Sequence, residues 1–160
     1  MKKIIVSDLK KEYAFQASTL ISALHDTLVQ TRQDIFVQKE QDWEEYLISK
    51  LEDNDWIIKI ALIDNKVVGV CTSQIKYCGD GEETKKRVLL FVDYIAVSKE
   101  NRRNKIGSIL LDEMKKSAVE RGVTSLELNV WGFNAGAIQF YEKNNMKPKR
   151  IIYEYILDKE

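Results

Sequence analysis

Val97-Ser98-Lys99-Glu100-Asn101-Arg102-Arg103-Asn104-Lys105-Ile106-Gly107-Ser108 is the stretch on which the reading of this 160-residue chain turns. An almost continuous apolar run, Val88 to Val92, precedes it; Ile106, Leu110, Met114 and Ala118 follow at helical spacing. The stretch therefore leaves a strand and enters a helix. Arg102, Arg103 and Lys105 stand just before the helix and Gly107 lies in its first turn. A helix tip carries unpaired N–H groups and a partial positive charge. Cations beside those donors make a site for a phosphate-bearing ligand, and Gly107 would let backbone come close to it. The segment alone leaves a second reading open, a solvated basic loop before an ordinary helix.

Working outward, the helix ends at Arg121-Gly122, where glycine suits the C-cap. Val123–Val130 reads as a strand, Asn134–Asn144 as a short helix and Ile151–Leu157 as a closing strand. On the other side, Arg87–Ser98 is a long strand preceded by a polar loop at Cys78–Glu82. Trp56–Ile63 and Val67–Tyr77 are two strands joined by the turn Asp64-Asn65-Lys66, so three strands form an antiparallel meander. Before them the spacing predicts a helix through Ala14, Ala17, Ile21, Leu24 and Leu28, with Asp8 near its start as a cap. A second helix is predicted from about Lys39 to Leu51, the loop Thr31–Phe36 lying between the two, and Ile4–Val6 opens the chain as a first strand. Strand–helix–strand spacing implies a parallel crossover. The expected class is α/β, a mixed sheet with helices on both faces, in a single domain over residues 1–160.

Composition narrows the function classes. With 25 basic and 25 acidic residues the net charge is zero, so there is no general pull toward nucleic acid or an anionic membrane. No segment has the apolar length of a membrane span, and the N-terminal apolar run is too short for a signal peptide. Cys71 and Cys78 sit at either end of one predicted strand, roughly 20 Å apart if extended. That is beyond disulfide reach, and neither has a His or Cys neighbour at metal-ligand spacing. Reduced thiols, no metal and a cytoplasmic location are the expectation.

A second stretch joins the first: Asn129-Val130-Trp131-Gly132-Phe133-Asn134-Ala135-Gly136-Ala137-Ile138-Gln139-Phe140-Tyr141-Glu142-Lys143-Asn144-Asn145-Met146. Together the two resemble the GNAT superfamily of N-acetyltransferases. That family carries Arg or Gln, two free positions, Gly, one free position, then Gly or Ala. Here Arg102 and Gly107 match, while Lys105 stands at the first Gly. Downstream the family has a strand, Asn-x-x-Ala, a helix and a Tyr, ending in Gly-Phe; this chain has Asn145-Met146 there. Asn tolerates the left-handed backbone that Gly would take.

The resemblance implies acetyl-CoA as co-substrate and an amine acceptor. Backbone of Ile95, Ala96 and Val97 would pair with the pantetheine arm as another strand would. Arg102, Arg103, Asn104, Lys105, Ile106, Gly107 and Ser108 would hold the pyrophosphate. Asn134 and Ala137 are expected by the cofactor, although Asn134 serves equally well as the N-cap of its helix. Tyr141 is the expected proton donor to the leaving thiolate. Asp93, or else Glu127, is the candidate base that frees the amine nucleophile, unless each is simply paired with a Lys or Arg. A backbone N–H of the same strand would meet the developing oxyanion. His25, Phe36, Tyr77, Tyr94 and Trp131 could border the acceptor; aromatic residues in such a pattern more often serve the core. A small-molecule amine is the expected acceptor, with a protein α-amine or lysine, or a silent CoA-binding role, as alternatives. Homodimers are common among relatives.

Overall fold

The computed structural model describes residues 2–38 and 41–157. It divides into two compact units, Met1–Asn129 and Val130–Glu160.

The first unit carries β1 (Ile5–Asp8), a 3₁₀ turn at Lys11–Tyr13, α1 (Ala14–Thr31), α2 (Trp43–Lys50), β2 (Trp56–Ile63), β3 (Lys66–Cys78) and β4 (Arg87–Val97). A second 3₁₀ turn at Lys99–Asn101, α3 (Ile106–Glu120) and β5 (Ser125–Leu128) follow. The sheet runs β1-β2-β3-β4-β5. The first three pairings are antiparallel and β4 with β5 is parallel, so the mixed sheet expected from the spacing is present.

Strand alternation sends successive side chains to opposite faces, and each face has its own core. Ile58, Ile60, Val70 and Ala96 pack with Ala17 and Ile21 of α1 and with Trp43 and Leu47 of α2. Ile57, Cys71, Ile75, Leu90 and Val92 pack with Ile106, Leu110 and Met114 of α3. Helices thus cover both faces. Gly69 lets α3 approach β3 closely: a Cβ there would sit 2.9 Å from Ile106 Cγ2 and 2.9 Å from Leu110 Cδ1. The two cysteines are free; Cys71 is buried and Cys78 partly so.

Several boundaries depart from the sequence expectation. Asp8 does not cap a helix. It lies in β1 and its carboxylate is 2.6 Å from Lys59 Nζ across the strand pair; the 3₁₀ turn leads into α1 instead. The second helix begins at Trp43, because the Asp42 carboxylate accepts from Glu45 N at 2.8 Å and fixes the cap there. Its expected start, Lys39, lies outside the described residues. The β5 ladder holds only Ser125–Leu128, shorter than Val123–Val130.

The second unit carries α4 (Ala135–Lys143). Asn134 caps it, its side-chain oxygen accepting from Ala137 N at 3.1 Å. Asn145 takes φ 63° just beyond its end, the left-handed turn for which Asn stands in for Gly. Ile151–Leu157 is not a strand. Its Ile and Tyr residues supply β propensity, but a strand exists only where a ladder forms.

Candidate functional site

The register between β3 and β4 slips once. Thr72 faces Tyr94 and Ser73 faces Val92, which leaves Asp93 as the extra residue of a β-bulge. Beyond this bulge β4 also outruns its other neighbour. The ladder with β5 ends at Val92–Leu128, so no strand pairs with Asp93–Val97 on that side among the described residues. Backbone N–H and C=O groups there form an open edge, the arrangement that accepts an extended ligand as an added strand.

That edge runs into the cationic turn. Arg102 Nε donates to Val97 O at 3.4 Å, and Arg102, Arg103, Asn104 and Lys105 are exposed. Arg103 (φ 65°) and Lys105 (φ 61°) are both left-handed. Lys105 thus adopts the backbone that a Gly would take, at a local cost of about 1–2 kcal/mol. Alternating left-handed residues turn successive N–H groups to one side and form an anion-binding nest. Lys105 is also the N-cap of α3 and makes no side-chain capping bond. The first intrahelical bond after it is Ile109 N to Lys105 O, so the donors of Ile106, Gly107 and Ser108 remain for a ligand. Nest, helix tip and three cations fit a diphosphate.

The α1/α2 face of the sheet holds an aromatic cluster next to the bulge. Ring centres lie 5.5 Å apart for Trp43 and Tyr94, 5.6 Å for Trp43 and Tyr46, and 6.2 Å for Tyr46 and Tyr94. Trp56 adds an edge contact to Tyr46 at 6.0 Å. His25 touches Trp43 (5.5 Å) and Phe36 (6.0 Å), and its Nε2 lies 3.4 Å from Val37 O. Asp93 is exposed by surface area, yet the protein around its carboxyl removes part of its water and raises its pKa from the ordinary value, with Lys76 and Lys50 pulling the other way. The phenol of Tyr46 is raised by burial, then by Asp93 and Tyr94, while a bond to Thr72 opposes this. Tyr94 is raised by burial and by Asp93. Burial also raises the Cys71 thiol, which keeps it protonated.

Glu127 lies on β5 opposite Phe91 and accepts from Arg87 at 2.8 Å and from Ser125 Oγ at 3.4 Å. The two candidate carboxylates therefore differ: Glu127 has a guanidinium partner and Asp93 stands at the bulge. In the second unit Tyr141 is partly buried, its ring 5.1 Å from Phe140, and its carbonyl accepts from Met146 N at 3.0 Å. Trp131 stacks on Phe133 at 5.8 Å, and Tyr77 of the first unit is exposed. Sequence reasoning passed over Tyr46, Lys50, Trp56, Gly69 and Lys76. The helical spacing of Trp43, Tyr46 and Lys50 on one predicted helix signalled two of them; Trp56, Gly69 and Lys76 are brought in by the sheet register.

No group of three or more His, Cys, Asp and Glu side chains among the described residues could hold a metal ion. No helix among them is long and apolar enough to cross a membrane. The sequence model of the acetyltransferase (GNAT) family matches residues 19–146. No curated protein matches the chain by sequence. Among solved structures, the chain is similar to a tetramutant of the BH1408 protein from Bacillus halodurans, with TM-score 0.89 and 17% identity over 96% of this chain and 99% of that one. It is similar to the aminoglycoside acetyltransferase meta-AAC0020 from an uncultured soil metagenomic sample, with TM-score 0.70 and 19% identity over 97% of each. It is also similar to a ribosomal-protein-alanine N-acetyltransferase from Brucella melitensis, with TM-score 0.69 and 18% identity over 99% of this chain and 100% of that one. At such identities the likeness carries the fold.

Proposed function

The chain belongs to the acetyltransferase (GNAT) family and is an acyl-CoA-dependent N-acetyltransferase, and from that premise we propose that it acetylates the primary amine of a small molecule with acetyl-CoA. The observation behind the cofactor assignment is the open edge of β4 at Asp93–Val97 running straight into the nest at Arg102–Lys105. Ile95, Ala96 and Val97 take the pantetheine arm, and Arg102, Arg103, Asn104, Lys105, Ile106, Gly107 and Ser108 take the pyrophosphate. Asn134 and Ala137 are assigned to the cofactor as well. Acetyl-CoA supplies an acetyl group already activated as a thioester.

Asp93 receives the proton of the incoming ammonium, directly or through water, and leaves a neutral amine. Its raised pKa strengthens it as a base. Glu127 is the weaker candidate, since its charge is engaged by Arg87. The amine nitrogen forms the new bond to the acetyl carbon, the carbon–sulfur bond breaks, Tyr141 gives its proton to the departing sulfur, and the surplus proton on the nitrogen returns through water to the Tyr141 phenolate, leaving a neutral amide. A backbone N–H of β4 meets the charge that develops on the carbonyl oxygen. We assign the whole chain to one N-acetyltransferase domain, located in the cytoplasm. Thiol release from acetyl-CoA across a panel of amines tests the reading. Acetylation of one or more small amines is expected; release with peptide α-amines or lysines alone would move the acceptor to proteins, and release with none would end the proposal.

A further inference from the structure

Two ammonium groups near the bulge lie over aromatic rings. Lys50, the last residue of α2, places Nζ 4.8 Å from the centre of the Trp56 ring and 5.6 Å from that of Tyr46. Lys76 of β3 places Nζ 4.0 Å from the centre of the Phe91 ring on β4. Among the described residues neither has a carboxylate within ion-pair distance. Ring faces attract the ammoniums and fix where they point, while the aliphatic stems lie along apolar surface. Both are partly buried, so water screens them incompletely.

Alternation places Lys76 on the sheet face that α2, and so Lys50, covers. Thr72 Oγ1 accepts from Tyr94 N, and Lys76 lies over Phe91, so these residues occupy the face on which Trp43 and Tyr46 pack. Lys76 and Lys50 both favour the charged form of Asp93. Arg87 on this side of β4 is already matched by Glu127. Two fixed positive charges against one negative leave an excess of one. An acceptor with several ammonium groups would add like charge there; an acceptor bearing an anion sets that charge against the lysines while its ammonium faces Asp93.

We infer that the acceptor is an amine carrying an anionic group, a carboxylate or a phosphate, within a few bonds of its nitrogen, and that Lys50 and Lys76 bind that anion. This rests on the acetyl-transfer reading above and names the substrate class for it. The lysines act on specificity and do not touch the reacting atoms.

A matched two-carbon series tests it: ethanolamine, ethylenediamine, β-alanine and 2-aminoethyl phosphate, the last two separating carboxylate from phosphate. Thiol release from acetyl-CoA is measured with wild type, Lys76→Gln and the double variant Lys50→Met, Lys76→Met; the single variant covers the case in which the double one misfolds. At least one anionic amine is expected to exceed both ethanolamine and ethylenediamine by roughly tenfold in kcat/KM. In the variants that preference should shrink toward parity, the loss falling on KM. Preference for ethylenediamine or ethanolamine, or a preference that survives in the folded variants, overturns the inference. Thermal shifts by each amine in the presence of CoA give a readout without turnover. If no amine releases thiol, the transfer reading fails, and the order of these shifts still decides which charge the site selects. Equal shifts across the series would defeat the inference.

Discussion

Asp93 combines two properties that alternation alone does not give a strand residue: it is the extra residue of a bulge, and burial raises its pKa. As a base it must be ionised, so the acidic limb of kcat/KM against pH should lie higher than for a freely solvated Asp. Asp93→Asn should remove that limb; an unaltered limb would eliminate Asp93 as the base. Stability follows the same shift. Between the unfolded and folded pKa the native chain holds a proton that the unfolded chain has released, so stability declines as pH rises through that window. Asp93→Asn should therefore melt higher than wild type near neutral pH, and the gap should close at pH values below the usual carboxylate range. Tyr141 is tested separately. Replacing it by Phe keeps the ring and removes only the hydroxyl, so kcat should fall about 10²–10⁴-fold with cofactor affinity nearly retained, as expected for loss of a general acid. Unchanged turnover would remove Tyr141 as the donor.

At the scale of elements, the turn from β4 into α3 shows what a side chain costs where Gly is usual. Lys105→Gly relieves a left-handed Lys but frees the unfolded chain, two effects of about 1 kcal/mol each and of opposite sign. Its melting temperature should stay within a few degrees of wild type, while Lys105→Val, β-branched at φ 61°, should melt lower. Thermal unfolding of the two variants distinguishes a backbone role from a charge role, since both remove the ammonium. The elements themselves were largely legible. Long periodic runs located β2, β3, β4, α1 and α3 because burial on a defined face leaves a pattern in the sequence. Ends were less legible, since a cap depends on geometry: Asp8 and Asp42 are both acids near a helix, and only Asp42 reaches a backbone N–H. Ile151–Leu157 misled for a related reason, its composition being that of a strand and its backbone not.

On the scale of the whole molecule, the motif residues were visible because Arg102, Gly107, Asn134 and Tyr141 stand in order along the chain. The lysines at 50 and 76 were not, because what they share is a sheet face, and nothing in linear spacing links the end of α2 to the last residues of β3. A ligand bound only by the native chain shifts the folding equilibrium. At a hundred times its Kd, acetyl-CoA should add about 2.7 kcal/mol, which for a chain of this size raises Tm by roughly 5–10 °C. Calorimetry with and without the coenzyme checks this, and an unmoved transition would argue against every role assigned to the turn. The unpaired side of β4 carries one more consequence. Bare strand margins are where one polypeptide can zip onto another. When the coenzyme is withheld, this margin offers itself to neighbouring molecules, so ligand-free preparations should cloud sooner on concentration, and light scattering should show CoA keeping them clear.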